Sequence, residues 1–90
     1  MKRLEAYFTG TVQGVGFRYT AQQVATGYDL LGTVRNIVDG RVELILEGEQ
    51  AEIEAYLKEL EETHLHDRIK EREFKWMEPK RDLKGFRILR

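Results

Sequence analysis

Residues 4–28, with the sequence LEAYFTGTVQGVGFRYTAQQVATGY, change their hydrophobic periodicity halfway along. In the first part the apolar side chains fall on even positions, a period of two that predicts a half-buried strand; they are Leu4, Ala6, Phe8 and Val12. After Gly16 the apolar residues recur at helical spacing, so we expect an amphipathic helix over roughly 17–28. The stretch therefore predicts a strand, a loop with two glycines and a helix.

Two further strands are expected after this helix. Leu31–Val38 is the first, and the second begins at Val42 and ends where Gly48 interrupts its alternating pattern. Between them, Asp39 and Gly40 are a strong hairpin signal, because glycine accepts the positive φ that tight hairpin turns require.

The last part of the chain completes the order of elements. Residues 50–63 carry an apolar stripe at helical spacing, which predicts a second helix with a Glu-rich outer face. A fourth strand is expected over 69–78, ending at Pro79, and Phe86 and Ile88 indicate a short last strand. The order βαββαβ favours an α+β protein of the ferredoxin-like class. In that class two helices cover one face of an antiparallel sheet, and here a short extra C-terminal strand follows.

Length and composition limit the classes of protein to which this chain can belong. Its 90 residues suffice for one hydrophobic core, so we expect a single domain over 1–90. The net charge of −1 argues against nucleic-acid binding or membrane attachment through bulk electrostatics. There is no cysteine, and no apolar run has the length of a signal peptide or a membrane span. We therefore expect a cytoplasmic protein, with a monomer as the default state.

Charged side chains are almost absent from one part of the chain. Between Ala6 and Tyr28 the only charged residue is Arg18, although 34% of all residues are charged. Burial of the first strand and helix explains part of this, and Arg18 would then be an ordinary surface residue. Burial does not explain neutral polar residues such as Gln22 and Gln23, where Lys or Glu would usually serve. The absence of carboxylates favours a site in which Arg18 binds an anion, because nearby carboxylates would compete with that anion for the arginine.

The loop itself is consistent with an anion site. Gly14 and Gly16 let the backbone turn with its N–H groups facing inward, and a helix N-terminus follows, a combination that binds phosphate or carboxylate. Arg18, in the first turn, would add a permanently charged bidentate donor. A lone G-x-G pair is a weak signal, and the nucleotide-binding P-loop and dinucleotide motifs are absent. The expected ligand is therefore small, the size of a phosphoryl group.

Two motifs resemble the acylphosphatase family: GTVQGVGFRYT at 10–20 and GTVRNIVDGRVEL at 32–44. The resemblance covers nearly the whole chain and ends with GFRI at 85–88. It implies a hydrolase without a metal or cofactor, which splits small-molecule acyl phosphates into a carboxylate and inorganic phosphate. Phosphate or sulfate would then be product-like ligands.

The resemblance also implies roles for particular residues. The phosphate-binding loop would consist of Gln13, Gly14, Val15, Gly16, Phe17 and Arg18. Its amides and the Arg18 side chain would hold the phosphoryl group, and Asn36 would orient the attacking water, so Arg18 and Asn36 are the expected catalytic residues. No well-placed Asp, Glu or His adjoins either motif, so we expect the proton of the water to go to a phosphate oxygen of the substrate.

Several of these residues have a second interpretation. Without the resemblance, Asn36 is more typical of a residue that bonds locally before the hairpin turn. The Gln13 side chain could contribute to the site, although a role for its backbone amide is preferred. Tyr19 fits packing as well as a position on the rim of the site.

Two other functions are compatible with the fold. One is a non-catalytic domain that binds a phosphoryl or carbamoyl-phosphate group, similar to the N-terminal domains of hydrogenase maturation carbamoyltransferases. The length of the chain, and Asn36 alongside Arg18, favour an enzyme over this alternative. The other is RNA binding on the open sheet face, which the absence of the RNP aromatic pattern and of a basic surplus disfavours.

Residues 63–74, THLHDRIKEREF, depart most from the family pattern, where a shorter-looking turn with Gly and Pro is usual, and Thr33 stands where many members have Trp. We expect the 63–74 segment to lie away from both motifs. His64, His66 and Asp67 would form a poor preformed metal site, so exposed or helix-capping histidines are expected instead.

Overall fold

The computed structural model describes residues 1–90 and contains five strands and two α-helices. In chain order they are β1 (Lys2–Gly10), α1 (Phe17–Ala25), β2 (Leu31–Asn36), β3 (Val42–Gly48), α2 (Gln50–Glu61), β4 (Ile69–Met77) and β5 (Phe86–Ile88). A short 3-10 helix, His64–Asp67, lies between α2 and β4. None of the helices has the length and apolar character needed to cross a bilayer.

The strands form one sheet in the order β4-β1-β3-β2-β5, which confirms the ferredoxin-like α+β prediction. The pairs β1–β3, β1–β4 and β2–β3 are antiparallel, whereas the short β5 runs parallel to β2. β5 therefore forms the one parallel edge of the sheet, and the antiparallel core has the predicted arrangement.

The core lies between one face of the sheet and the two helices. Phe8 on β1 packs against Phe17 at the start of α1, with ring centroids 5.1 Å apart. Tyr56 on α2 is fully buried and donates a hydrogen bond of 2.8 Å from its hydroxyl to the carbonyl of Ala21 on α1. Burial raises the pKa of Tyr56, so the hydroxyl keeps the proton that it donates.

Three elements end two or three residues earlier than the sequence predicts, and β4 ends one residue early, at Met77. α1 ends at Ala25 rather than at residue 28, because the Thr26 hydroxyl and amide both bond to the Gln23 carbonyl and tighten the last turn. α2 ends at Glu61 rather than at 63, because the Thr63 hydroxyl accepts the Leu65 amide and starts the 3-10 helix. β2 ends at Asn36, two residues early.

The early end of β2 belongs to the hairpin turn. The Ile37 amide donates to the Arg41 carbonyl, and the Gly40 amide donates to the Ile37 carbonyl. Gly40 has φ of 98°, so the prediction that the Asp39-Gly40 pair forms the turn is confirmed.

On the sheet face opposite the helices, Glu47 is a buried carboxylate with three donors. Arg3 donates from Nη1 to Oε2 at 2.8 Å, and the backbone amides of Lys80 and Arg81 donate at 2.8 Å and 3.2 Å. Burial by itself would raise the pKa of Glu47, but the hydrogen bonds from Arg3 and the two amides hold it below its ordinary value. Glu47 thereby fixes the connection that leads from β4 to β5.

We expect Glu47→Gln to lower the free energy of unfolding by about 2 kcal/mol at pH 7, because it removes the buried carboxylate that accepts from the Arg3 guanidinium, which then keeps only Glu5 and the exposed Asp82. The lowered pKa of Glu47 means that its contribution is complete above about pH 4.5 and is lost as the wild type protonates in more acid solution. The deficit of the variant should therefore shrink below that pH. Urea-induced unfolding at neutral and acid pH measures both effects.

The exposed Glu78 in the same connection provides the control, and Glu78→Gln should change the free energy of unfolding by less than about 0.5 kcal/mol. A Glu47→Gln deficit that stays constant with pH would contradict the role given to the carboxylate.

Candidate active site

The loop between β1 and α1 has the backbone conformation of an anion-binding turn. Gly14 and Gly16 both have φ of 78°, and Gly16 is the N-cap of α1. The amides of residues 13–16 donate to no backbone carbonyl, and the first backbone bond of the helix runs from the Thr20 amide to the Gly16 carbonyl at 2.9 Å. A row of free N–H groups over residues 13–19 therefore lies at the positive end of the helix.

Two buried side chains fix this loop at its ends. Val12 is fully buried before the turn and Phe17 is 2% exposed after it. Both belong to the main hydrophobic core. The loop is thus held from below by packing, while the glycines between them stay at the surface.

An open cavity of about 460 Å³ lies above the loop. It is lined by Val12, Gly14, Gly16, Phe17, Arg18, Tyr19, Asn36, Ile88 and Arg90. Arg18 and Asn36, predicted from separate motifs, thus share one cavity with the glycines. No carboxylate and no histidine is among the lining residues, and Arg18 forms no salt bridge. The cavity can therefore offer two arginines, Arg18 and Arg90, and its amide donors to an anion without competition from a carboxylate side chain.

Asn36 is the last residue of β2 and pairs with Val42 on β3. The alternative of a local hydrogen bond does not occur: the Asn36 side chain bonds to no residue of the hairpin, and Asp39 caps the turn by accepting the Arg41 amide at 3.0 Å. The half-buried Asn36 amide therefore keeps both its donor and its acceptor for a molecule in the cavity.

Gln13 has a side-chain role that the sequence did not predict. Its Nε2 donates to the carbonyls of Ile37 and Arg41 at 2.8 Å and 2.9 Å, and the side chain does not line the cavity. These bonds join the loop that carries Arg18 to the hairpin that follows Asn36. Gln13 thereby fixes the position of one motif relative to the other.

Ile88 and Arg90 are cavity residues that sequence reasoning missed. They reach the site because β5 lies parallel to β2, with Ile88 opposite Val34, and the Leu89 amide continues the pairing by donating to the Val34 carbonyl. Tyr19 is 64% exposed and lines the cavity, so of its two interpretations the rim position applies.

The expectation that residues 63–74 lie away from both motifs is wrong for the first motif. The Thr11 amide donates to the Arg68 carbonyl at 3.0 Å, and His64 Nε2 lies 2.8 Å from the Val15 carbonyl oxygen. The 3-10 helix that follows α2 brings the segment against the outer side of the loop. His64 is exposed but bonded to the loop rather than capping a helix, and no group of three or more possible metal ligands is brought together.

The fold and this cavity define a class of protein, a small α+β sandwich with a candidate oxyanion site between its first helix and second strand. The acylphosphatase family model matches residues 4–88, and the chain belongs to this family.

Relatives and solved structures agree with this assignment. The acylphosphatase of Paenarthrobacter aurescens is 40% identical over 97% of this chain and 93% of its own length. That of Thermus thermophilus is 40% identical over 98% of this chain and 99% of its own. The crystal structure of acylphosphatase from Bacillus subtilis, 28% identical, superposes with a TM-score of 0.90 over 100% of both chains. Full-length HypF contains a similar unit, with 33% identity and a TM-score of 0.83, covering 99% of this chain and 12% of HypF.

We expect Gln13→Ala to loosen the hairpin, because it removes both bonds to the carbonyls of Ile37 and Arg41. The loss of two partly exposed hydrogen bonds, about 1–3 kcal/mol in total, should speed hydrogen exchange of the Ile37 and Gly40 amides about ten- to a hundredfold. Exchange measured by NMR tests this. Gln22→Ala, which removes one bond to the Phe86 carbonyl, is the control and should leave the hairpin unchanged.

Proposed function

We propose that this acylphosphatase acts through Arg18, Asn36 and the amides of the 13–18 loop on the carboxyl-phosphate bond of small acyl phosphates. The observation that carries the proposal is the single cavity in which Arg18, Asn36 and the N-terminus of α1 meet without a competing carboxylate. The products are a carboxylate and inorganic phosphate.

The first task of the site is to neutralise charge on the phosphoryl group. The amides of residues 13–18 are free and belong to a loop that is fixed before the substrate arrives, so little backbone reorganisation opposes the reaction. The unpaired Arg18 guanidinium adds a positive charge that is available to the phosphoryl group. As the phosphoryl group transfers, its equatorial oxygens are stabilised by donors aimed at them. This is the main catalytic contribution of the loop.

The second task is to align water. The Asn36 side-chain oxygen can accept a hydrogen bond from the water while its NH2 group donates one to a phosphoryl oxygen, which holds the nucleophile in line with the leaving group. The water oxygen bonds to phosphorus while the bond between phosphorus and the acyl oxygen breaks. The acyl group leaves as a carboxylate with the electron pair of that bond, so it needs no general acid.

The proton of the water passes to a phosphoryl oxygen of the substrate. None of the lining residues has a carboxylate or an imidazole that could act as general base near neutral pH. Substrate assistance balances the step without a protein base, a metal or a cofactor.

We also propose that the catalytic unit is a monomer with one domain over residues 1–90, acting in the cytoplasm. The core is a single cluster, and the cavity that it supports is lined by residues from Val12 to Arg90. The absence of cysteine fits a chain that needs no disulfides.

We expect benzoyl phosphate hydrolysis in the presence of EDTA to fall about a hundred- to a thousandfold in Arg18→Ala, the loss typical of a preorganised donor to a developing oxyanion. Asn36→Ala should lose turnover while keeping phosphate affinity within about threefold, since Asn36 acts on the water rather than on the charge. Steady-state kinetics and phosphate titration measure these effects.

Arg35→Ala is the matched control. Arg35 adjoins Asn36 but is exposed and bonded to Glu43, so its loss should leave turnover within about twofold. Equal losses in Arg18→Ala and Arg35→Ala would contradict the proposed site.

The alternative is a domain that binds a phosphoryl or carbamoyl-phosphate group without hydrolysis, and the likeness to part of HypF is the observation that favours it. The two functions differ in turnover. If the folded wild type is stabilised by phosphate through Arg18 but hydrolyses no acyl phosphate, the binding function is correct and the proposed hydrolysis is not.

A further inference from the structure

The 3-10 helix contributes one side chain to the loop, and this contact lies outside the roles described above. His64 Nε2 is 2.8 Å from the Val15 carbonyl oxygen. A carbonyl oxygen only accepts, so Nε2 carries the hydrogen and His64 is the donor. We propose that His64 is a positioning residue, which holds the Val15–Gly16 peptide in the orientation that presents the Gly16 N–H to the phosphoryl group. The proposal deepens the proposed function and rests on it for the identity of the ligand.

In the Val15–Gly16 peptide, the direction of the Val15 carbonyl determines the direction of the Gly16 N–H. Its C=O and N–H point in opposite directions, so a Val15 carbonyl held on the outer side turns the Gly16 N–H toward the inner side. Gly16 lines the cavity and Val15 does not. The hydrogen bond of His64 is therefore made on the far side of the peptide from the ligand.

This peptide needs an external contact to fix its orientation. Glycines stand on both sides of Val15: Gly14 and Gly16 both have φ of 78°, and neither has a Cβ to bias the backbone. The Val15 side chain packs against the core, but the peptide that follows it is free of backbone hydrogen bonds at its amide end. His64 is the one side chain that bonds to its carbonyl end.

The segment that carries His64 is anchored well enough to do this. Leu65, the next residue, is fully buried in the core. Thr63 caps the 3-10 helix, and the Arg68 carbonyl accepts the Thr11 amide at the start of the loop. The segment is thus fixed to the loop at its entrance and at its apex, while the His64 ring itself is exposed.

Two effects on the ligand follow. A hydrogen bond at the carbonyl polarises the peptide and strengthens its N–H as a donor. More important, it keeps the binding-competent orientation populated: without it a fraction of molecules would present the carbonyl to the cavity, and apparent affinity falls by that fraction. Every protein molecule with bound substrate has the binding-competent peptide orientation. Loss of the His64 hydrogen bond should therefore raise KM and leave kcat unchanged.

The experiment compares His64→Ala with the wild type, with inorganic phosphate and benzoyl phosphate as the probes. We expect the phosphate Kd and KM to rise together by about threefold, with kcat unchanged, because one exposed hydrogen bond controls the orientation. Relaxation dispersion of the Gly16 amide should show exchange in the variant that the wild type lacks.

Two further variants separate this role from a general structural one. His64→Gln has an amide nitrogen that can reach the position of Nε2, so it should restore wild-type Kd and KM. His66→Ala removes a histidine from the same 3-10 helix that bonds to no loop atom, and should behave as the wild type. Unchanged phosphate affinity in His64→Ala, or a Gln variant as weak as the Ala variant, would overturn the proposal.

These readouts also keep the two proposals apart. If the wild type hydrolyses no acyl phosphate, the proposed function fails, yet phosphate affinity and Gly16 exchange still decide the role of His64. If the wild type turns over but His64→Ala changes neither quantity, only the His64 proposal fails.

Discussion

The candidate site depends on one backbone constraint: the chain turns through two left-handed glycines directly before α1 while the side chains on both sides of the turn remain buried. Gly14 and Gly16 supply the left-handed conformation, and Val12 and Phe17 supply the anchors. A side chain with a Cβ would meet no atom at either glycine, so the requirement is one of backbone conformation rather than of space. The free amides and the position of Arg18 both follow from this turn.

The turn is not self-sufficient, because three contacts tie its outer surface to two distant parts of the chain, the β2–β3 hairpin and the segment that follows α2. Gln13 bonds to the β2–β3 hairpin, Thr11 to the Arg68 carbonyl, and Val15 to His64. Each contact is made by a group that does not face the cavity. The side of the loop that faces the cavity therefore keeps its donors free for a ligand, while the hydrogen bonds on the outer side hold the loop rigid. Such an arrangement is what preorganised binding of an anion requires.

The sequence predicted the elements of the fold well because their signals are local. About a dozen consecutive residues suffice to recognise each of three patterns: the period-two strand β1, the Asp39-Gly40 turn and the apolar stripe of α2. The joint position of Arg18 and Asn36 came from the family resemblance, and the cavity that they share agrees with it. The roles of Gln13 and His64 were missed because their acceptors are main-chain carbonyls 24 to 49 residues away, which no sequence pattern marks. Glu47 was missed because a strand alternation does not distinguish a buried, paired carboxylate from an exposed one.

The most direct test of the site is a titration of the protein with inorganic phosphate in the presence of EDTA, followed by ¹H–¹⁵N NMR. We expect saturable shifts that are largest at the backbone amides of residues 13–19 and at the side-chain amide of Asn36, since these donors line or border the cavity. Saturable shifts centred elsewhere, with the loop amides unmoved, would show that phosphate binds at another place and would contradict the central claim.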